Sequence, residues 1–215
     1  PKRDDTPHFA HALAAGWKAA PSAESDLTAV ALNHRAAGIV RASALDQLGQ
    51  SEGRSWLAAC EKALKDRDPQ VRAAAVASLQ PLPNDRLIAL LAPLLEDPVR
   101  LVRTEAGRLL ARVPRRELTQ PQRDARRAAI DDYERGLMID NDQAAAHMSL
   151  GILYEAMATN QRNGRDLQKA VDAYRTAINV QPDMTGPRTN LASVMDRVQP
   201  EQAKRLRAEE LVLLA

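Results

Sequence analysis

The dipeptide Val-Arg occurs at Val40-Arg41, Val71-Arg72 and Val102-Arg103, a step of 31 residues each time. Ala44, Ala75 and Ala106 keep that step, as do Leu48, Leu79 and Leu110. Within each copy Val, Ala and Leu fall four residues apart, on one face of a helix. The segments upstream repeat too: Trp56, Leu57, Cys60 and Leu64 correspond to Leu87, Ile88, Leu91 and Leu95. Each unit therefore reads as a helix, a tight turn and a second helix. An isolated helix pair of this kind cannot bury its apolar face, so the units must stack on one another. The small Ala at the centre of each copy is where a neighbouring helix approaches closely.

Turn chemistry agrees with this division. Asp68 is positioned as an N-cap and Pro69 as the first residue of the second helix in the second unit. Asp97-Pro98 is expected to play the same part in the third, two residues further from its Val-Arg. The first unit has "RAAGIVR" and no Asp-Pro. Hydrophobic residues make up 45% of the chain but aromatics only 3%, so Ala and Leu must do most of the packing. That balance suits helices and argues against a β-sandwich or barrel.

"DPQVRAAAVASL", residues 68 to 79, resembles the second-helix signature of HEAT-like repeats, and three such pairs extend to about residue 113. A capping helix is expected at about residues 6 to 20, started by Thr6-Pro7. Beyond residue 114, "RVPRRELTQPQRDARR" carries two prolines and six arginines and reads as a solvated junction over 114–121. Further on, "HMSLGILYEA" followed by "KAVDAYRTAINVQP" resembles a tetratricopeptide (TPR) repeat over the 122–215 region. Leu150, Gly151 and Tyr154 take its first-helix signature, and Ala170, Tyr174, Ala177 and Pro182 its second. His147 stands where that family has Trp. The seven residues "TNQRNGR", Thr159 to Arg165, are expected to lengthen the turn between the two helices.

Degenerate neighbours flank this repeat. Ala129 and Tyr133 match Ala170 and Tyr174 upstream, and Leu191 and Ala192 match Leu150 and Gly151 downstream, while Ala203 falls one residue short of the family period and Lys204 takes the strict position. Together the two resemblances imply an all-α, right-handed helical-repeat solenoid, HEAT-like over 1–113 and TPR-like over 122–215. The TPR resemblance also implies a peptide-binding concave face on the first helices, which would carry Met148, Ile152 and Glu155, then Thr189, Ser193, Asp196 and Arg197. Ile152 and Ser193 stand where a clamp for C-terminal carboxylates would need Asn, so that clamp is not implied.

No catalytic constellation stands out. His8 and His11 lie three apart, but only Asp4 and Asp5 are near enough to add ligands, so the pair reads as surface histidine and no metal is expected. Cys60 aligns with Leu91 and reads as a core thiol. Cys-x-x-Cys-His, a phosphate loop, a nucleophile elbow and HExxH are all absent from the sequence. A formal charge of +2 gives no strong pull toward nucleic acid or membrane. Glu117 and Asp124 interrupt the basic junction, and aromatics for base stacking are scarce. The longest apolar run, "LIALLAPLL" at 87 to 95, is too short to span a bilayer.

One wider resemblance covers most of the chain. "PHFAHALAAGWKAAPSAESDLTAVALNHRAAGIVRASALDQL" is similar to the segment after the last haem motif in bacterial multihaem c-type cytochromes with C-terminal repeats. It implies a non-haem repeat tail, a periplasmic or extracytoplasmic setting, no cofactor in this portion, and haem only in an N-terminal region. A chain that opens on Pro1 reads as an excised or processed piece. The expected function is a protein or peptide interaction scaffold, without enzymatic activity or membrane insertion; the alternative is a helical-repeat protein that binds nucleic acid. Oligomeric state, partner and peptide motif are left open by the sequence.

Overall fold

The computed structural model describes residues 8–51, 53, 55–161, 164–196 and 199–214. Among them every regular element is helical. In chain order these are α1 (Phe9–Trp17), α2 (Ala23–Ala31), α3 (Gly38–Ser51), α4 (Trp56–Ala63), α5 (Pro69–Ser78), α6 (Asn84–Leu91), α7 (Arg100–Leu110), α8 (Gln120–Leu137), α9 (Ala144–Gln161), α10 (Gly164–Val180), α11 (Pro187–Met195) and α12 (Pro200–Leu213). Short 3-10 turns occupy Ala92–Glu96, Arg115–Glu117 and Met138–Asp140. Contacts divide the chain into two units after Leu110.

In the N-terminal unit the 31-residue step is a packing step. Helices pair as α2 with α3, α4 with α5 and α6 with α7, and the second helices stack on one another, α3 on α5 and α5 on α7. Ala44, Ala75 and Ala106 are completely buried, as are Leu48, Leu79 and Leu110. Val71 and Val102 are equally buried, whereas Val40 in the first copy is half-buried. Ala75 sits in the middle of α5, between the flanking second helices. Ala75→Leu would add three carbons where no space remains and should cost on the order of 1–3 kcal/mol. An unchanged urea midpoint for that variant would contradict the stacking.

Helix starts follow local chemistry. Asp68 caps α5, its carboxylate accepting the Gln70 N–H at 2.9 Å, with Pro69 as first helical residue. Asp97 differs from the expectation: α7 begins at Arg100, and the Asp97 carboxylate accepts the Val99 N–H instead. It thereby matches Asp66, which accepts the Asp68 N–H, and not Asp68 itself. For α1, Thr6 and Pro7 lie outside the described residues; His8 is the N-cap, its ring nitrogen accepting the Ala10 N–H at 3.3 Å.

In the C-terminal unit α9 pairs with α10 and α11 with α12, and α8 packs on α9. The expected long turn after α9 is corrected. α9 continues to Gln161 and α10 begins at Gly164, so most of the extra residues extend helices and Gly164 opens one. Gly151 lies on α9 where a Cβ would come within 2.4 Å of the Tyr174 ring, so the two helices approach closely there. Tyr174 is completely buried in a core with Ala170, Leu191, Ala192, Met195 and Ala203. Ala203, one residue out of the strict period, still takes the buried small-residue place, while Lys204 is exposed. Gly186, at φ 102°, starts α11 in a conformation that side chains resist.

The arginine-rich segment is more ordered than a solvated connector. Thr119 and Gln122 form a reciprocal capping box at the start of α8. Arg123 donates to the Leu118 carbonyl at 2.7 Å, and the buried Arg126 donates to the Val113 carbonyl at 2.6 Å.

Candidate functional site

Two sets of polar side chains could carry function, one on each unit. In the N-terminal unit the Val-Arg arginines have a shared geometry. Arg72 donates through Nε and Nη2 to both carboxylate oxygens of Asp97, each at 2.9 Å, and through Nη1 to the Asp66 carbonyl at 2.7 Å. Arg41 pairs with Asp66, the aspartate in the same register, through Nη1. Arg103 repeats the backbone part, donating through Nη1 to the Asp97 carbonyl at 2.8 Å. Arg72 thus both ties its own turn and reaches the aspartate of the next unit, Arg41 shows the aspartate part and Arg103 the backbone part. The 31-residue step already contained this ladder, because Arg41 and Arg72 are in register and so are Asp66 and Asp97.

These carboxylates are buried, and burial alone would raise their pKa. The Arg41 hydrogen bond, the Asp68 N–H and the charges of Arg41 and His34 outweigh it, so Asp66 lies below its ordinary value. Arg72, the Val99 N–H and Arg103 do the same for Asp97. Because both groups bind protons less readily when folded, they stabilise the fold above about pH 4, and that stability is lost as pH falls. The Asp66→Asn/Asp97→Asn variant should therefore lose less stability than wild type between roughly pH 4 and pH 2. Parallel losses in acid urea titrations would refute this role.

In the C-terminal unit, the implied concave residues separate into two groups. Ile152 on α9 and Thr189 and Ser193 on α11 are exposed. Met148 is half-buried and close to Gly186. Glu155, half-buried, accepts the Tyr174 hydroxyl at 2.7 Å and so holds the core together. Asp196 is exposed and takes a two-point ion pair from Arg207 of α12, one contact at 2.9 Å, which depresses its carboxyl pKa. Arg197 lies outside the described residues. The sequence register gave the helix face but not these internal partners.

Of the remaining candidates, Cys60 is fully buried and burial pushes its thiol up to about 12, followed by the charge of Glu61. Such a thiol is inert as a nucleophile at neutral pH. The His8 and His11 rings meet edge to face at 6.0 Å, and Asp4 and Asp5 lie outside the described residues. Among the described residues no group of three His, Cys, Asp or Glu could hold a metal ion. His147 is half-buried, and its Nε2 lies 2.7 Å from the Asn141 carbonyl, so it clamps the turn before α9 as well as packing. No helix of the described residues is long and apolar enough to cross a membrane.

Stacked helix pairs with a fixed period define a helical-repeat protein. The family model for HEAT repeats matches residues 24–111, which cover the three pairs of the N-terminal unit from the second residue of α2 onward. HEAT repeats commonly mediate protein–protein interactions as scaffolds, and their fold is typically not enzymatic. No curated protein and no solved structure matches the chain.

Proposed function

We propose that this chain is a protein-interaction scaffold, with a HEAT-repeat N-terminal unit and a TPR-like C-terminal unit that takes a protein or peptide partner. The observation that carries the reading is the HEAT match over three stacked pairs, which the Arg41–Asp66 and Arg72–Asp97 ion pairs join to one another. A rigid helix-borne surface loses little conformational entropy on binding, which favours docking over chemistry. Protein is preferred over nucleic acid because the charge is nearly balanced and aromatics are few.

On the C-terminal unit the groove would be carried by Ile152, Thr189 and Ser193, with Met148 and Asp196 beside them and Arg197 as a further member. Glu155 is removed from the exposed set because its carboxylate serves Tyr174. The wider setting we propose is the non-haem repeat tail of a multihaem c-type cytochrome outside the cytoplasm, resting on the similarity of residues 7–48. Cys-x-x-Cys-His motifs upstream in the full coding sequence, with a Soret band in the purified full-length protein, test that setting.

The groove has its own test. Ile152→Glu combined with Ser193→Glu should abolish capture of the protein partner that co-purifies with wild type from its native source. The thermal midpoint should stay nearly unchanged, because both residues are exposed. Undiminished capture by a folded variant would place the partner elsewhere.

A further inference from the structure

We propose that a cleft within the C-terminal unit, between the Arg115–Glu117 turn with α8 and the start of α10, docks an acidic segment of a protein partner. The proposal rests on the scaffold reading and names the chemistry of what would bind. It concerns a different face from the α9–α11 groove.

The cleft has a volume of about 370 Å³, within the roughly 300–1,000 Å³ range of ligand sites. Arg115, Arg123, Arg126 and Arg127 line it from the turn and α8, and Arg165 and Lys169 from α10. Arg126 is only 5% exposed. Burial, then the charges of Arg115, Arg123 and Arg127, bring its guanidinium down to about 10. Four guanidinium groups are thus close enough to repel one another in a partly desolvated site. An incoming carboxylate relieves that repulsion and can be gripped at two points by one fork-shaped guanidinium.

Four carboxylates also line the cleft, but three of them are spoken for or withdrawn. Asp124 accepts the Gln120 amide at 2.9 Å, Glu134 accepts the Tyr154 hydroxyl, and Asp166 is buried. The fourth, Asp131, is exposed in the second half of α8, one turn beyond Arg127. Lys169 lies 4.8 Å from the centre of the Tyr154 ring, at the Glu134 end. Arg115 and Arg127, by contrast, are exposed and have no ion-pair partner among the described residues. This leaves a cationic end formed by the turn and the first half of α8. A phosphodiester strand would carry its evenly spaced charges past the acidic residues as well, with no exposed aromatic in the lining to stack on. A peptide brings discrete, flexible carboxylates that can reach the arginines alone.

The test is fluorescence anisotropy on the whole chain, with a short labelled peptide rich in Glu and Asp and its Gln/Asn counterpart as probes. Arg115→Ser/Arg127→Ser removes two exposed guanidinium groups of the cleft. Arg116→Ser/Arg175→Ser removes the same charge from outside it. Saturable binding of the acidic peptide alone is expected, weakened about tenfold or more by the cleft pair and less than about twofold by the outer pair. Absence of binding, or equal weakening by both pairs, would overturn the proposal. A labelled single-stranded oligonucleotide bound more tightly through Arg115 and Arg127 would overturn it in favour of a nucleic-acid site. Either failure leaves native partner capture intact, whereas failure of the scaffold reading itself would remove capture altogether.

Discussion

Asp97→Ala should lower the unfolding free energy by about 3 kcal/mol, because it strands a nearly buried guanidinium. The Arg72 side chain is only 12% exposed, and its Nε and Nη2 would lose both carboxylate oxygens. The Val99 N–H would lose its acceptor as well. Replacing both members with apolar side chains, Arg72→Met/Asp97→Leu, should recover most of the loss, since desolvation then has no charge to penalise. Urea denaturation with unchanged slope reads both effects. A single-variant loss below about 1 kcal/mol would reduce the pair to the level of a surface salt bridge.

Tyr174→Ala should be costlier still, at about 4 kcal/mol, the usual range for emptying a buried aromatic site. The ring fills the space that Gly151 opens on α9 and touches the core of α10, α11 and α12. Tyr174→Phe keeps that volume and deletes only the hydrogen bond to Glu155, so it should cost about 1–2 kcal/mol. Burial first, and then the Glu155 carboxylate, push the Tyr174 hydroxyl well above its ordinary value, so it stays protonated and donating throughout the neutral range. Thermal unfolding of the two variants separates volume from hydrogen bonding. Equal losses would show that packing around the ring contributes little.

The buried faces of α3, α5 and α7 were legible because apolar periodicity reports which side of a helix faces its neighbours. Val, Ala and Leu at the 31-residue step landed in the core with Val40 alone half-exposed. The arginine–aspartate ladder was written in the same step but was not read from it. Its partners stand 25 residues apart in different units, and periodicity fixes register without saying which side chains meet. The same gap explains Glu155, whose face was right and whose partner, Tyr174, was invisible. Thr159 to Arg165 misled for another reason. Comparison of lengths counts extra residues without locating them, and polar residues such as Gln and Arg continue a helix nearly as well as Ala. Arg126 escaped because a run of arginines looks solvated until one of them is found covering a carbonyl.

The central claim is that the 31-residue step is a physical stacking step, with α5 held between α3 and α7. Amide hydrogen exchange on the intact chain measures this helix by helix. The account predicts that the amides of α5 around Ala75 are the slowest of the N-terminal unit, with α3 and α7 next and α1 fast. Asp97→Ala should speed α7 and the facing side of α5 before α3. Amides of α5 that exchange as fast as those of α1 would contradict the stacked-repeat account.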